Sequence, residues 1–323
     1  MEKSHLENKP SRGGGGGYKY PLTPDDEFSY LAEAIDQALH NHVLEFVYQP
    51  IVNHVRGEVC AHEALSRPRI DGRAIAPDVW FRAAVACNRA REVDQLVVTL
   101  SMQSFALAWS ETPPTPLFVN VTPSSLTEKL FLEHLEFLFE NGICCPEQLV
   151  IEIVEYIPYD VTHLSAVIQT VRSRGVRIAL DDVGMGSNTF SSVSVLEPDW
   201  VKVDRTLIRG ISGTPAKQEF LSRLVQIMGA GERIIAEGIE THEDLETIRS
   251  MGIFKSQGYY WSAPLSVPQI QSLLQTIEQK RHDLLKVVEN SRWTDPKVLA
   301  KSEEIDRLVT LYYRLWNKAK NAG

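Results

Sequence analysis

Residues 177–182 read Arg-Ile-Ala-Leu-Asp-Asp, a short apolar run that ends in two adjacent carboxylates. Six further runs of this kind carry a carboxylate, an amide or a lysine at or near their ends: Glu63, Asn120, Glu152, Lys202 with Asp204, Glu237 and Gln257. Short apolar runs are typical of buried strands, and segments of helical length separate these seven. Strands that alternate with helices favour a parallel sheet, which as a closed barrel brings the carboxyl ends of its strands to one mouth. The sequence therefore predicts an α/β barrel whose mouth is lined with polar side chains.

The first two strands depart from this repeat. Residues 45–52 and 58–65 are separated only by the polar turn at residues 53–57, which predicts an antiparallel hairpin. Residues 28–43 carry the apolar spacing of an amphipathic helix. The predicted fold class is a TIM-like (β/α)8 barrel with one antiparallel strand, followed by a C-terminal α-helical hairpin.

Three segments are predicted along the chain. Residues 1–20 contain a run of five glycines and are expected to be a flexible tail, whereas residues 21–279 form the barrel. Residues 280–323 lack strand patterns, and their helical periodicity is broken once at residues 290–296. Either Thr294 or Asp295 can cap a new helix there, with Pro296 in its first turn. These features predict the two-helix hairpin.

Composition limits the classes of partner. The chain has 323 residues, of which 43% are apolar and 23% charged, as in soluble globular proteins. Its formal net charge of −9 argues against broad binding of duplex nucleic acid, but a small phosphate ligand remains compatible because divalent cations can supply positive charge. The four cysteines lack the spacing of a zinc site. With no signal peptide and no apolar run near twenty residues, we expect a cytoplasmic protein without a membrane segment.

The polar ends of the runs are suited to hard metal ions. Mg²⁺ and Mn²⁺ prefer oxygen ligands, and phosphoryl chemistry often uses two ions about 3.5–4 Å apart. One acidic residue at a strand end is usually a solvated loop entry, so the prediction rests on their joint occurrence. The following residues together supply enough oxygens for two ions: Glu63, Asn120, Glu152, Asp181 and Asp182. Lys202 belongs to the same ring and could orient or deprotonate a metal-bound water.

Eight blocks between about residues 25 and 275 have the order and spacing of a known family. They are Tyr-Gln-Pro-Ile-Val at 48–52, Glu-Ala-Leu-Ser-Arg at 63–67, Phe-Val-Asn-Val-Thr-Pro at 118–123, Glu-Ile-Val-Glu at 152–155, Asp-Asp-Val-Gly-Met-Gly at 181–186, Lys-Val-Asp-Arg at 202–205, Ala-Glu-Gly-Ile-Glu-Thr at 236–241 and Gln-Gly-Tyr at 257–259. The chain therefore resembles the EAL-domain cyclic di-GMP phosphodiesterases.

This resemblance implies a role for each site residue. The implied metal ligands are Glu63, Asn120, Glu152, Asp181, Asp182 and Glu237, and the implied catalytic residues are Glu63, Lys202 and Glu237. Contacts with the dinucleotide are implied for Gln49, Arg67, Asp204 and Gln257. Glu155 is implied to anchor the loop that follows Asp182, and Glu240 has a similar supporting role. The planar fork of Arg67 suits phosphate oxygens.

The implied reaction is hydrolysis of cyclic di-GMP to linear pGpG by a homodimer with two divalent cations, Mg²⁺ or Mn²⁺. Two features depart from the family: Val183 replaces the usual phenylalanine, and the loop at residues 185–191 differs from the common version. These departures concern the rate and its regulation, because no ligand position is lost. The alternative is a catalytically weak cyclic di-GMP receptor that controls the interaction of the hairpin with a phosphorelay protein.

The hairpin carries a second resemblance. Ser302, Glu303, Glu304 and Asp306, in the run Ser-Glu-Glu-Ile-Asp, are similar to the Ser-Gln-Glu-Leu-Asp signature of the sporulation aspartyl-phosphate phosphatases. This similarity implies that a phosphorylated response regulator is a partner. Glu303 stands where that family has glutamine, and a carboxylate is repelled by an acyl phosphate. Dephosphorylation, binding without catalysis and a purely structural hairpin therefore all remain open.

Overall fold

The structure is a computed structural model that describes residues 24–70, 72–108, 115–154, 159–184 and 189–289. The predicted tail at residues 1–20 and the second helix of the predicted hairpin lie outside these ranges. Eleven strands are present in the described part: β1 Glu45–Asn53, β2 Glu58–Arg67, β3 Arg69–Ile70, β4 Arg73–Ala74, β5 Leu117–Val121, β6 Leu149–Ile153, β7 Arg177–Val183, β8 Trp200–Val203, β9 Ile234–Ala236, β10 Lys255–Ser256 and β11 Leu265–Ser266.

Eight of these strands close into a barrel. From β1 the order is β2, β5, β6, β7, β8, β9 and β10, and β10 pairs with β1 to complete the ring. β1 is antiparallel to both of its neighbours, whereas the other neighbouring pairs are parallel. The predicted barrel and its single antiparallel strand are therefore confirmed.

Two short pairings lie outside the ring. β11 pairs with β1 on the edge that β10 also uses, at Val47 and Tyr48 instead of Val52 and Asn53, and β3 and β4 form a small antiparallel ladder of their own. The sequence pattern did not predict either one, because strands of two residues are too short to show an alternation.

Eleven α-helices connect or flank the described strands: α1 Pro24–Asn41, α2 Pro77–Ala86, α3 Ala90–Ala108, α4 Pro123–Leu126, α5 Lys129–Glu140, α6 Val161–Arg172, α7 Thr189–Leu196, α8 Arg205–Ile208, α9 Pro215–Met228, α10 His242–Ser250 and α11 Val267–Glu289. Their apolar faces pack on the outside of the barrel in one continuous core. Within the described ranges, none of the helices is both long enough and apolar enough to cross a membrane.

α11 joins the barrel to the region of the predicted hairpin. Ile270 in its first turn is 2% exposed, and Gln271 Nε2 donates to the carbonyl oxygen of Leu107 at 2.9 Å. The helix continues to Glu289 and so passes through the predicted domain boundary at residues 279 and 280. The described beginning of the hairpin is therefore helical and continuous with a helix that packs on α3, while the boundary itself stays a prediction.

The interior of the barrel is filled by an apolar layer. Six buried side chains from six different strands form it: Ile51, Ala61, Phe118, Val150, Ala179 and Ile235. Trp200 on β8 packs against this layer. A parallel barrel of this size has a packed interior rather than a pore. The layer therefore closes the barrel below its mouth.

Candidate active site

The polar residues of the mouth lie directly above this apolar layer. Five parallel strands carry a polar residue two positions after an inward-facing residue of the layer, as in Ala61 and Glu63 or Ala179 and Asp181. Since side chains on one face of a strand recur every two residues, both members of each pair point into the interior of the barrel. We call the following set the acidic rim: Glu63, Asn120, Glu152, Asp181, Asp182, Lys202, Glu237 and Gln257.

Lys202 lies at the centre of the acidic rim. Its side chain is 1% exposed, and Nζ lies 2.7–3.1 Å from one carboxylate oxygen of each of four residues: Glu63, Glu152, Asp181 and Glu237. These four residues come from four different segments of the chain, so the lysine joins side chains that only the closed barrel brings together. A buried ammonium of this kind requires such partners, because an unpaired charge in the interior is strongly disfavoured.

Two amide side chains complete the contacts. Asn120 Nδ2 lies 3.5 Å from Glu63 Oε1 and 3.2 Å from Glu152 Oε2. Gln257 Nε2 donates to Glu63 Oε2 at 2.5 Å and to Glu237 Oε1 at 3.2 Å. Glu63 thus contacts both amides as well as Lys202.

The carboxylates of the rim do not ionise equally. Burial opposes the charged form of Glu63, but the Lys202 ammonium and the hydrogen bond from Gln257 outweigh it and hold the pKa of Glu63 below its usual range. Burial raises the pKa values of Glu152 and Glu237 well above the usual range, and Lys202 offsets this only in part. Neighbouring carboxylates add to the rise. The rim therefore has more carboxylates than one lysine compensates, and the excess favours their protonated forms in the metal-free protein.

Asp182 has an unusual backbone. Its φ is 52°, in the left-handed region, and the register between β7 and β8 shifts between Leu180 and Val183. A non-glycine residue in this region is uncommon and occurs at functional sites, where the surrounding structure holds it. Burial and then the charge of Asp181 raise the pKa of Asp182 to about 7. The two adjacent aspartates thus both contribute to one cluster although they are consecutive in a strand.

Two groups of carboxylates in the rim have the spacing of metal ligands. Glu63, Glu152 and Asp181 each offer an oxygen within 4.8 Å of the others, and so do Asp181, Asp182 and Glu237. Asp181 is common to both groups. Its Oδ1 is buried and lies 3.1 Å from Lys202 Nζ. This oxygen-rich set of ligands fits hard divalent cations.

A cavity of about 160 Å³ opens beside the rim. Glu63, Asn120 and Asp181 form its polar wall, and the side chains of Phe81 and Val97 contribute to the apolar wall. The site therefore has an apolar surface next to its carboxylates, a combination common in ligand pockets.

Comparison with known proteins identifies the barrel. The family model of the EAL domain matches residues 32–264, more than half of the chain. This chain belongs to the EAL domain family.

Two curated relatives carry functional names. Cyclic di-GMP phosphodiesterase NbdA of Pseudomonas aeruginosa is 28% identical over 253 residues, which cover 76% of this chain and 32% of that protein. The probable cyclic di-GMP phosphodiesterase PdeB of Escherichia coli is 26% identical over 235 residues, which cover 72% of this chain and 44% of that protein. The matched region is therefore less than half of either relative.

Solved structures share the fold of the EAL barrel. An EAL domain protein of Listeria monocytogenes superposes with a TM-score of 0.65 at 23% identity, covering 75% of this chain and 96% of that one. Klebsiella pneumoniae BlrP1, solved as a complex with manganese and cyclic di-GMP, superposes with a TM-score of 0.59 at 26% identity, covering 69% of this chain and 56% of that one.

A second family model matches the C-terminal region. The model described as Spo0E like sporulation regulatory protein covers residues 273–314. This match begins inside α11 and continues beyond the described residues. The residues of the predicted phosphatase motif lie outside the described residues: Ser302, Glu303, Glu304 and Asp306.

The predicted dinucleotide contacts lie around the mouth of the EAL barrel. Gln49 is buried on β1 directly opposite Glu63, and its Nε2 donates to Ser262 O at 3.3 Å. Arg67, at the end of β2, is half-buried and donates to Ser66 O at 2.9 Å. Asp204 accepts from the backbone N–H of Thr206 at 2.8 Å and so caps α8. Their contacts with substrate stay predictions.

The two predicted loop anchors have different outcomes. Glu155 lies outside the described residues, as do residues 185–188 of the predicted loop at 185–191, whose last three residues belong to α7. Glu240 is exposed and forms an ion pair with Arg209 at 3.5 Å. The role of each in the EAL loop stays a prediction.

Asp94 was not among the predicted site residues, although it contacts Thr122, the residue that follows β5. This aspartate on α3 is fully buried, and its Oδ2 accepts from Thr122 N at 2.9 Å and from Thr122 Oγ1 at 2.6 Å. Thr122 follows Asn120 by two residues. A signal was present in the sequence, because Asp94 lies at helical spacing with the apolar residues Val97 and Val98 and so on the buried face of α3.

Proposed function

We propose that this chain is a phosphodiesterase that uses two divalent cations, Mg²⁺ or Mn²⁺, to hydrolyse cyclic di-GMP to linear pGpG. One observation carries the proposal: two clusters of three carboxylates, with Asp181 common to both, lie in the mouth of the barrel beside the buried Lys202. The names of the curated relatives support the choice of cyclic di-GMP as substrate.

The chemistry of the rim supports two cations. By definition the rim has five carboxylates and one lysine, so it stays negative when all of them are charged. Glu63, Asn120, Glu152 and Asp181 would hold one ion, and Asp181, Asp182 and Glu237 the other. When bound, such ions polarise the scissile phosphate, acidify an attacking water and stabilise the leaving oxygen.

The residues of the chain itself position the reactants. Lys202 keeps Glu63, Glu152 and Glu237 turned toward one point, which preserves the geometry of the mouth. Arg67 at the end of β2 offers a planar guanidinium suited to a phosphate of the substrate. In the overall reaction the oxygen of water bonds to phosphorus, the bond from phosphorus to the ribose 3′ oxygen breaks, and that oxygen takes up a proton.

A direct test is the release of pGpG by the purified chain. We expect turnover with Mg²⁺ or Mn²⁺, none in EDTA, and a loss of at least about a hundredfold in Glu63→Ala, because removal of a ligand of the site weakens both metal binding and catalysis. Glu58→Gln is a matched control, since Glu58 begins the same strand, β2, at the opposite end of the barrel. Equal release of pGpG by the wild type and Glu63→Ala would contradict the proposal.

The alternative function is a cyclic di-GMP receptor that controls the C-terminal segment. Isothermal titration of the same proteins separates the two functions. Binding of cyclic di-GMP without release of pGpG in the presence of Mn²⁺ would favour the receptor.

We also propose that the Spo0E-like segment binds a phosphorylated response regulator and removes its phosphoryl group. The match over residues 273–314 supports this proposal. The full chain, added to a phosphorylated sporulation response regulator, should shorten the lifetime of the aspartyl phosphate, and Asp306→Asn should not. Binding without a shorter lifetime would leave only docking, in accord with Glu303 at the glutamine position.

We also propose that the chain forms a homodimer, which multi-angle light scattering tests. A mass near twice 36.4 kDa is expected, whereas a monomer at micromolar concentration would contradict it.

A further inference from the structure

The turn that leaves β5 is held by a carboxylate from outside the barrel. Asp94 on α3 has no exposed surface, and one of its oxygens, Oδ2, accepts both the backbone N–H and the hydroxyl of Thr122. The hydroxyl of Thr122 also lies 2.8 Å from Ser125 Oγ. A single oxygen therefore fixes the backbone and the side chain of the same residue.

This arrangement is not an ordinary helix cap. Thr122 occupies the N-cap position of α4, but its side chain accepts no hydrogen bond from a backbone N–H of that helix, and α4 begins with Pro123 and has only four residues. An N-cap threonine usually accepts a hydrogen bond from the N–H groups of the first turn. Here the hydroxyl donates away from the helix to a buried carboxylate, so the contact stabilises the position of the turn rather than the helix.

Burying a carboxylate to hold a turn costs free energy of folding. Desolvation raises the pKa of Asp94 to about 6, and hydrogen bonds from Ser125 and Thr122 offset this rise only in part. Burial of such a group destabilises a protein unless strong hydrogen bonds offset it. Hydrogen bonds to a carboxylate are short and roughly twice as strong as neutral ones, so they restrict movement more than a hydroxyl pair would.

The restricted turn leads directly into the acidic rim. Asn120 precedes Thr122 by two residues on the same strand, and its amide lies between the carboxylates of Glu63 and Glu152. Both of these partners are in strands and are buried, so the position of Asn120 depends on the end of β5. The helix that bears Asp94 is itself fixed, since Val93 and Val97 on either side are buried in the core.

We propose that Asp94 is a positioning residue that sets the place of Asn120 in the metal site through its two hydrogen bonds to Thr122. This inference rests on the proposed function of the rim as a metal site. It adds to that function a residue that touches neither metal nor substrate. Direct hydrogen-bond partners of metal ligands affect metal affinity by about 10–100-fold, and Asp94 acts one contact further away, through Thr122.

The test measures Mn²⁺ affinity without substrate, by the electron paramagnetic resonance signal of free Mn²⁺ during a titration of the full chain. Asp94→Ala removes both hydrogen bonds, and Thr122→Val removes the hydroxyl while it keeps the shape of the side chain. We expect the Mn²⁺ dissociation constant to rise about tenfold in Asp94→Ala, at the low end of that range, and by a smaller factor in Thr122→Val. Asp94→Asn and Thr122→Ser retain an acceptor and a donor, so they should restore most of the affinity.

A second buried aspartate provides a matched control. Asp244 on α10 is 4% exposed and accepts from the backbone N–H groups of Gly210 and Ser212 at 2.9 and 3.0 Å. It holds a turn by the same chemistry but does not adjoin a residue of the rim. Asp244→Ala should lower the midpoint of urea unfolding, as Asp94→Ala does, and leave the Mn²⁺ dissociation constant within about twofold of the wild-type value.

Each outcome decides the proposal. If Asp94→Ala loses stability but binds Mn²⁺ as the wild type does, Asp94 is only a structural anchor and the proposal is wrong. Equal weakening in Asp94→Ala and Asp244→Ala would also overturn it, because general loosening would then explain both. Thr122→Val decides the question if Asp94→Ala does not fold. A wild type that binds no Mn²⁺ would instead refute the proposed metal site, and this inference with it.

Discussion

Replacing Lys202 by methionine tests whether the acidic rim is balanced by this one ammonium. Methionine has nearly the same length and is apolar, so the substitution removes the charge and leaves little empty space. The lysine is 1% exposed and lies within 3.1 Å of four carboxylates. We expect the metal-free variant to be less stable than the wild type at pH 8.

The magnitude follows from the burial of the group. Removal of one partner from a buried ion pair costs about 3–5 kcal/mol, because the remaining charge is left without compensation. Proton uptake by the carboxylates limits the loss, since burial already raises the pKa values of Glu152 and Glu237 well above the usual range. We therefore expect a loss of about 3 kcal/mol in the free energy of unfolding at pH 8 in EDTA, at the low end of that range.

The sign of the pH dependence is fixed by the same pKa values. Without Lys202 the carboxylates in the folded state hold their protons to still higher pH, whereas in the unfolded state they titrate near pH 4. The stability of the variant is then lost as the pH rises through the folded-state pKa values. The difference between variant and wild type should therefore shrink from pH 8 to pH 5.5.

Urea unfolding followed by circular dichroism measures these differences, with and without MnCl₂. Mn²⁺ should restore much of the stability of Lys202→Met, since a ligand that binds only the folded state stabilises it. Lys129→Met is the control, because Lys129 is 88% exposed in its ion pair with Glu133 and such pairs contribute about 0.5 kcal/mol or less. Equal urea midpoints for Lys202→Met and the wild type in EDTA at pH 8 would refute the reasoning.

Three further predictions concern single residues around the mouth. Burial and then the charge of Asp181 raise the pKa of Asp182 to about 7, above its value in the unfolded chain, so its contribution to metal-free stability is lost as the pH rises from about 4 through 7. Between pH 5.5 and 8, urea unfolding should therefore show a smaller loss of stability in Asp182→Asn than in the wild type. Parallel stability curves for the two proteins would contradict this prediction. Glu152→Gln should raise the melting temperature in EDTA, because it relieves repulsion between the buried carboxylates of the rim. The same substitution should abolish tight Mn²⁺ binding in calorimetry. A lower melting temperature would show that this repulsion does not limit stability. Gly258→Ala should lower the free energy of unfolding in urea by more than about 1 kcal/mol, because φ of Gly258 is +151° and an added Cβ would meet the backbone of Ile239. A variant as stable as the wild type would show that this turn can relax.

The positions of the rim residues were predictable because two strong periodicities determine them. Strand length and the alternation with helices identify a parallel barrel, and the end of each run then identifies its mouth. Glu152 illustrates this: it is the fourth residue of β6, and its side chain is fully buried next to Lys202. The antiparallel hairpin of β1 and β2 was predictable for a similar reason, since its connecting turn is too short for a crossover.

Other features depend on contacts between segments that are distant in the chain. β11, which pairs with β1, has only two residues, and a strand of this length is too short to show an alternating sequence pattern. The positive φ of Asp182 was not predictable either, because aspartate is tolerated in this region more readily than most residues but only a small fraction of aspartates adopt it. The helical spacing of Asp94 indicates the buried face of α3, but its partner Thr122 lies 28 residues further along the chain, so the hydrogen bond itself was not predictable.

The two layers of the barrel interior explain why an acidic site of this kind is compatible with a stable fold. The apolar layer of Ile51, Ala61, Phe118, Val150, Ala179 and Ile235 packs the barrel without any help from the rim. The rim, two residues further along the strands, can therefore hold repelling carboxylates at a cost that the layer below offsets. A second lysine in the rim would improve the stability of the metal-free protein, but it would occupy the place and the charge that divalent cations need. One ammonium for five carboxylates is thus the balance expected of the proposed metal site: the lysine keeps the geometry without metal, and the protonated carboxylates can release protons when cations bind.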